Sequence, residues 1–244
     1  LPVLTKSELI DLQVAEPPFG GLATVAVGEM AHLFLSPGPI AETQGAAKVD
    51  PWRMARALFA AGFRPADRAL NCFSYHATPA GFVFDAALQA LSCAVFPGGV
   101  GATETQVEAI RRFALTGYVG TPDFLKIIME KAAPTLLPSM VRALVTAGPL
   151  FPSLRSWYAD HGVLVRQCYA TAELGLIAFE TADPVEGMVI DEGCIVEIVR
   201  PGTGNVVPDG EVGEVVVTTF DPIYPLIRFA TGDLSAILPG RTSS

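Results

Sequence analysis

Residues Gln167–Gly175 read QCYATAELG. The apolar approach Val163, Leu164, Val165 looks like a strand, and it runs into Tyr169, Thr171 and Glu173 before Gly175. In an extended segment, residues two apart point to the same side. A phenol, a hydroxyl and a carboxylate therefore share one side of the chain just where the strand ends. An edge strand can carry such a pattern by chance. So can a site that grips a nucleotide and its metal.

Upstream, short apolar strands alternate with helical segments. Strands are expected at 31–35, 69–73, 93–96, 118–119, 141–146 and 163–169, and helices at 8–12, 81–91, 103–114, 123–132 and 152–161. A further helix is predicted over 51–61, with Asp50 as its cap, Pro51 at its first position and Gly62 just past its end. This alternation predicts an α/β fold with mostly parallel sheets and flanking helices. Such folds bind ligands outside the carboxyl ends of their strands. Several of those ends carry glycine, proline or hydroxyl residues, among them Gly120-Thr121-Pro122 and Ala147-Gly148-Pro149. Beyond about residue 178 the grammar changes. Strand-like runs at 189–190, 194–199 and 212–219 are separated by Pro201-Gly202-Thr203-Gly204 and Pro208-Asp209-Gly210, with no helical period between them. The reading divides the chain into an α/β nucleotide- and acyl-binding region, 1–178, and an antiparallel β-rich subdomain, 179–244.

Composition narrows the function classes. Half of the 244 residues are hydrophobic and 17% are charged, which suits a large core and excludes a disordered chain. The net charge of −9, with no basic run longer than Arg111-Arg112, argues against a nucleic-acid partner. No apolar run is long enough to span a bilayer and no signal peptide opens the chain, so no membrane partner is expected. Cys72, Cys93, Cys168 and Cys194 lie far apart in apolar stretches and form no CxxC pair. Reduced, buried thiols in a cytoplasmic protein are the expectation.

Adenylation chemistry needs a hydroxyl and a carboxylate beside the phosphates and Mg²⁺, a flat face and open backbone for adenine, and an anionic acceptor for the ribose diol. The protein's share of that chemistry is positioning and electrostatics. Tyr169–Glu173 supplies the ring, hydroxyl and carboxylate. Ala147-Gly148-Pro149 supplies bare backbone, and Thr231-Gly232-Asp233 an aspartate in what reads as a tight turn.

At these residues the chain resembles the adenylate-forming superfamily of acyl- and aryl-CoA synthetases, most closely the phenylacetate–CoA ligase family. The family motif Tyr-Gly-x-Thr-Glu matches Tyr169–Glu173, with Ala170 in place of glycine. Gly-Glu-Leu-Val-x-Thr-Thr matches Gly213–Thr219. Pro-Leu-Ile-Arg-Tyr-x-Thr-Gly-Asp matches Pro225–Asp233. Leu1-Pro2 with Lys6, and Thr121-Pro122, match in order, so the resemblance covers nearly the whole chain. It implies an ATP-dependent acid–CoA ligase acting through an acyl-adenylate on an aryl or arylacetic acid. ATP or AMP, Mg²⁺ and coenzyme A are the implied cofactors, a small carboxylic acid the partner, and a homodimer the assembly.

Residue by residue, the resemblance makes Glu173 the Mg²⁺ carboxylate and Thr171 the phosphate hydroxyl, with both in the catalytic role. Tyr169, with Ala170 beside it, would stack on adenine. Ala147, Gly148 and Pro149 would read the adenine edge through the backbone, and Asp233 would hold the ribose hydroxyls. Tyr75 and Gly81 would wall the acyl pocket. Ser36 and Gly38 remain from the phosphate loop. Plain structural alternatives stand beside these. Glu173 reads equally as a solvated carboxylate at a helix start, Thr171 as a cap, Tyr169 and Tyr75 as core rings, and Asp233 as a turn residue.

Two departures from the family pattern bear on activity. The family's Ser-Ser-Gly-Thr-Thr-Gly loop is replaced by Ser36-Pro37-Gly38-Pro39-Ile40-Ala41-Glu42-Thr43, whose prolines remove two N–H donors and whose Glu42 adds negative charge. The family also continues into a hinge and a mobile C-terminal lid domain, which is expected to be absent here. These departures keep open a non-catalytic nucleotide-binding homologue, or an enzyme that adenylates another acid or a cofactor without CoA.

Overall fold

The computed structural model describes residues 1–36, 39–45, 49–132, 138–182 and 187–239. Gly38, a candidate phosphate-loop residue, lies outside them. The chain runs α1 (Lys6–Ala15), β1 (Met30–Leu35), β2 (Ala41–Gly45), α2 (Ala55–Ala60), β3 (Arg68–Asn71), α3 (Ala80–Ala90), β4 (Ala94–Pro97), α4 (Thr103–Phe113), β5 (Gly117–Gly120) and α5 (Pro122–Ala132). It continues through β6 (Arg142–Val145), α6 (Pro152–Asp160), β7 (Leu164–Thr171), β8 (Gly175–Phe179), β9 (Val189–Ile190), β10 (Cys194–Val199), β11 (Gly213–Thr219) and β12 (Phe229–Ser235).

Successive residues of β3, β5 and β6 feed opposite cores, as the two-residue period of a strand requires. Ala69, Val119 and Leu144 pack with Leu58 of α2 and Val83, Phe84 and Leu88 of α3. Leu70, Tyr118, Ala143 and Val145 pack with Ile110 of α4, Leu125 and Ile128 of α5 and Tyr158 of α6. Strands buried on both faces read as continuous apolar runs, which is why they stood out in the sequence. The sheet order is β4-β3-β5-β6-β7-β8-β9. The first five strands are parallel, and β8 and β9 are antiparallel. The chain leaves β3 toward β4 and returns to β5 on β3's other side, so the direction of winding reverses between β3 and β5. Ligands in open α/β sheets bind at such reversals, beyond the carboxyl ends. The α/β reading with mostly parallel strands is thus borne out.

A second sheet, β10-β11-β12, is antiparallel throughout. It packs against α1, with Leu9, Ile198, Val215, Val217, Leu226 and Phe229 in one cluster. Leu4 bridges to Phe229, so the first residues lie on this sheet's edge. Among the described residues no helix is long and apolar enough to cross a membrane.

Three local expectations need correction. The helix predicted from Pro51 begins at Ala55, because Arg53 sits at φ +63° and interrupts it. Asp50 still caps: its carboxylate accepts from Met54 N–H at 3.1 Å and Ala55 N–H at 2.8 Å. Thr231-Gly232-Asp233 lies in β12 rather than in a tight turn; Gly232, at φ +83°, falls where the pairing with β11 shifts register. Glu173 begins no helix, for a turn joins β7 directly to β8.

Candidate functional site

The carboxyl ends of β3, β6 and β7 bring three of the predicted groups to one edge of the sheet. At β7, Tyr169 and Thr171 stand two residues apart at the end of the strand, and both are half-buried, with Tyr169 packed against the cluster of the second sheet. Thr171 Oγ1 accepts from Leu174 N–H at 3.3 Å, which fixes the turn and leaves the hydroxyl hydrogen to donate elsewhere. Gly175 closes the turn at φ +71°. A Cβ there would stand 2.9 Å from Trp52 O, so no other residue fits.

Tyr169 and Asp233 meet although they come from different sheets. The phenol donates to Asp233 Oδ2 at 2.6 Å. Burial, and then this hydrogen bond to an anion, hold the phenol well above its ordinary pKa. Asp233 is exposed, and its N–H donates to Thr231 Oγ1 at 3.1 Å. Thr231 Oγ1 in turn donates to Val215 O of β11 at 3.1 Å. An anionic acceptor and an aromatic ring are therefore fixed side by side at the edge where the two sheets meet.

Glu173 is mostly buried, its side chain 6% exposed, and Lys6 Nζ lies 3.4 Å from Oε1. In the sequence Lys6 stands out only as a motif match, and nothing there links it to Glu173. The turn that carries Glu173 is clamped from outside by Arg53. Its Nη2 donates to Leu174 O and Leu176 O, both at 2.9 Å, and its Nε to Asp191 Oδ2 at 2.7 Å. Neither Arg53 nor Asp191 was singled out from sequence, and no motif spacing links them.

Ala147, Gly148 and Pro149 follow β6 and are exposed, with Ala147 at φ +60°. Their backbone is open at the same edge, one strand away from Tyr169. Ser36 is placed differently. Its N–H donates to Ile40 O at 3.0 Å and its hydroxyl to the same oxygen at 3.3 Å. The β1–β2 hairpin thus closes on itself at Ser36 and engages both donors of that residue.

Tyr75 and Gly81 lie beyond the end of β3, beside the winding reversal. Asn71 is fully buried, and its Nδ2 donates to Tyr75 Oη at 2.8 Å and Gly81 O at 2.9 Å. Tyr75 Oη then donates to Asp85 Oδ1 at 3.0 Å. Phe82 packs edge-on against Tyr75, with 5.5 Å between ring centroids, and continues through Phe34 to Trp52 beside the Glu173 turn. A Cβ on Gly81 would meet Ser74 O and Tyr75 Cγ, each at 2.7 Å. Gly81→Ala is therefore expected to cost about 1–3 kcal/mol and to displace the Tyr75 ring. Chemical denaturation beside near-ultraviolet circular dichroism reads both, and a variant of wild-type stability with an unchanged aromatic signal contradicts this packing.

Burial pushes the Cys168 thiol up to about 12 and that of Cys194 up to about 11, so neither offers a nucleophile at neutral pH. Among the described residues no group of three or more His, Cys, Asp or Glu converges on a metal position.

A family model described as AMP-binding enzyme matches residues 49–220. A phenylacetate–coenzyme A ligase of Pseudomonas putida is 30% identical over 196 residues, covering 77% of this chain and 45% of the relative. That of Thermus thermophilus is 30% identical over 252 aligned residues, covering 96% and 55%. The chain spans about half the length of the curated relatives it matches. Among solved structures, an open conformation of 2-hydroxyisobutyryl-CoA ligase in complex with 2-HIB-AMP and CoA superposes with a TM-score of 0.88 at 24% identity, covering 96% of this chain and 59% of that one. ATP-bound MatB from Rhodopseudomonas palustris superposes at 0.66 with 18% identity, covering 93% and 50%. These superpositions show the fold.

Proposed function

The chain belongs to the AMP-binding enzyme family, and from that premise we propose that it forms the nucleotide- and acyl-binding part of an ATP-dependent acid–CoA ligase. The reaction joins an acid carboxylate to the α-phosphorus of ATP with departure of pyrophosphate. The thiol of coenzyme A then displaces AMP to give the thioester. An aryl or arylacetic acid is the favoured substrate, supported by the phenylacetate–coenzyme A ligases among the relatives and by the aromatic wall of Tyr75, Phe82 and Phe34. A homodimer in the cytoplasm completes the proposal.

The observation that carries the reading is the 2.6 Å contact between Tyr169 and Asp233. It supports reading Tyr169 as a stacking face for adenine beside Asp233 as the acceptor for the ribose diol. Ala147–Pro149 lie at the same edge with backbone groups open to the base. Thr171 would donate to a phosphate oxygen, and Tyr75 and Gly81 would bound the acyl group.

The donor chemistry fits a hard divalent cation. Glu173 presents a carboxylate at the end of β7, paired with the half-exposed Lys6. Mg²⁺, when bound, would supply positive charge to the phosphates and the departing pyrophosphate. Glu173 would hold it, while Arg53 keeps the Glu173 turn in place.

A second reading, a nucleotide-binding homologue without turnover, is favoured by the hairpin that engages Ser36 internally. Calorimetric titration with AMP and with ATP tests both readings. Asp233→Ala is expected to weaken AMP by about 2 kcal/mol, roughly thirtyfold, for a lost charged hydrogen bond. Pyrophosphate release with a panel of aryl acids separates enzyme from binding module. An Asp233→Ala variant that binds AMP like wild type removes the nucleotide assignment.

A further inference from the structure

Beyond the end of β3 a chain of hydrogen bonds runs through the Tyr75 hydroxyl. It starts at the buried Asn71, whose carbonyl accepts from Gly99 N–H at 3.0 Å. In its side chain, Oδ1 accepts from Phe73 N–H at 3.1 Å, and Nδ2 donates to Gly81 O at 2.9 Å and to Tyr75 Oη at 2.8 Å. Phe73 N–H needs an acceptor and Gly81 O needs a donor, so the amide sits only this way round. Tyr75 Oη passes its own hydrogen to Asp85 Oδ1 at 3.0 Å. The other oxygen of Asp85 accepts from Gln89 Nε2, one turn further along α3.

The direction of this chain decides what Tyr75 can offer a ligand. A phenol has one hydrogen to give and two lone pairs that accept. The hydrogen is committed to Asp85, and both hydrogens of the Asn71 amide are committed as well. The ring and one lone pair are what remain. Burial, and then the charge of Asp85, hold the phenol well above its ordinary pKa, so the hydrogen stays on Tyr75 Oη. The ring is boxed between Gly81, where a Cβ has no room, and the edge of Phe82.

We propose that Asp85, acting through Tyr75, strips the acyl wall of hydrogen-bond donors, so that the site takes acids with a hydrocarbon aryl group and turns away those whose ring carries an acceptor. The proposal rests on the reading of Tyr75 and Gly81 as that wall, and it adds Asp85 as a positioning residue that touches no substrate. An acceptor carried from water to this wall gives up a hydrogen bond and finds none, which weakens binding by roughly tenfold or more.

Calorimetry with acyl-sulfamoyl adenosines, unreactive mimics of the acyl-adenylate, tests this in the whole chain without turnover. The phenylacetyl mimic is compared with its two pyridylacetyl counterparts, ring nitrogen meta or para, in mildly alkaline buffer where the pyridine is uncharged. The rings match in size and differ by one acceptor. The phenylacetyl mimic is expected to bind about tenfold or more tighter than either counterpart. Asp85→Ala frees the phenol hydrogen and narrows that ratio severalfold for at least one isomer. Asp85→Asn, whose amide oxygen accepts the same hydrogen, keeps the ratio. Tyr75→Phe added to Asp85→Ala restores it, which loss of a mere packing contact would not do. Unchanged AMP affinity and far-ultraviolet circular dichroism show that the variants are folded. Where Asp85→Ala does not fold, Tyr75→Phe alone decides, since a hydroxyl withheld from substrate can be removed without moving the ratio. Wild type binding phenyl and pyridyl mimics alike, Asp85→Ala keeping the full ratio, or Tyr75→Phe changing it overturns the proposal. Mimics that still bind tighter than AMP then leave the acyl wall standing. Mimics that bind no tighter than AMP remove the wall and the proposal together.

Discussion

Replacing Arg53 with alanine destabilises the protein by about 3 kcal/mol, at the lower end of what loss of one partner from a buried ion pair costs. Asp191, the partner, is 0% exposed. Its second oxygen keeps Arg56 Nη1 at 3.3 Å, which holds the loss below the full cost of an orphaned anion. The Leu174 and Leu176 carbonyls lose their side-chain donor at the same time. Arg53 also sits at φ +63°, a backbone state that costs an L-residue roughly 1–2 kcal/mol. Arg53→Gly removes the same contacts and relieves that strain, so it is expected to be about 1 kcal/mol more stable than Arg53→Ala. Urea unfolding of the two variants reads the side-chain and backbone contributions separately. A loss below about 1 kcal/mol in Arg53→Ala means the clamp is not a stabilising contact.

Glu42→Gln acts in the opposite direction and depends on pH. The folded carboxyl titrates near 7, against 4.5 for the ordinary group. The folded protein therefore keeps a proton that the unfolded chain releases between those values. Stability from this residue is fully present below pH 4.5, falls as pH rises, and is lost above about 7. The difference corresponds to about 3 kcal/mol at 1.36 kcal/mol per unit. In EDTA, Glu42→Gln is then expected to be more stable than wild type by about that amount at pH 8 and nearly equal to it at pH 4. Parallel stability–pH curves for the two proteins between pH 4.5 and 7 contradict the burial of an ionisable Glu42.

Some of this architecture was written in local pattern and some was not. The parallel strands announced themselves because β3, β5 and β6 are apolar on both faces and end in glycine or hydroxyl residues. The β7 end was legible because its polar residues alternate. β2 was missed because Ala41–Gly45 is a polar run with little strand preference, and it is extended only because β1 pairs with it. β8 begins right after a turn and is too short for its apolar run to be told from a buried helix. The β12 aspartate read as a turn because glycine marks turns and strand bulges alike. At the site, Tyr169, Thr171, Glu173 and Asp233 came from motif order. Arg53, Asp191 and the burial of Glu42 could not, since each depends on a partner distant in the chain.

Those distances have a kinetic consequence. The Arg53–Asp191 and Tyr169–Asp233 contacts close intervals of 138 and 64 residues. The parallel strands are joined by crossovers of roughly twenty residues and can pair while the rest of the chain is still being made. Extra loop entropy for the longer interval over the shorter is only about 0.7 kcal/mol, because closure cost grows with the logarithm of length. The delay is one of synthesis order. Asp233 must leave the ribosome before Tyr169 has its acceptor, and until then the edge that would bind a nucleotide is exposed and incomplete. A nascent chain stalled before residue 233 should protect the amides of β5 and β6 from exchange while those of β11 still exchange freely.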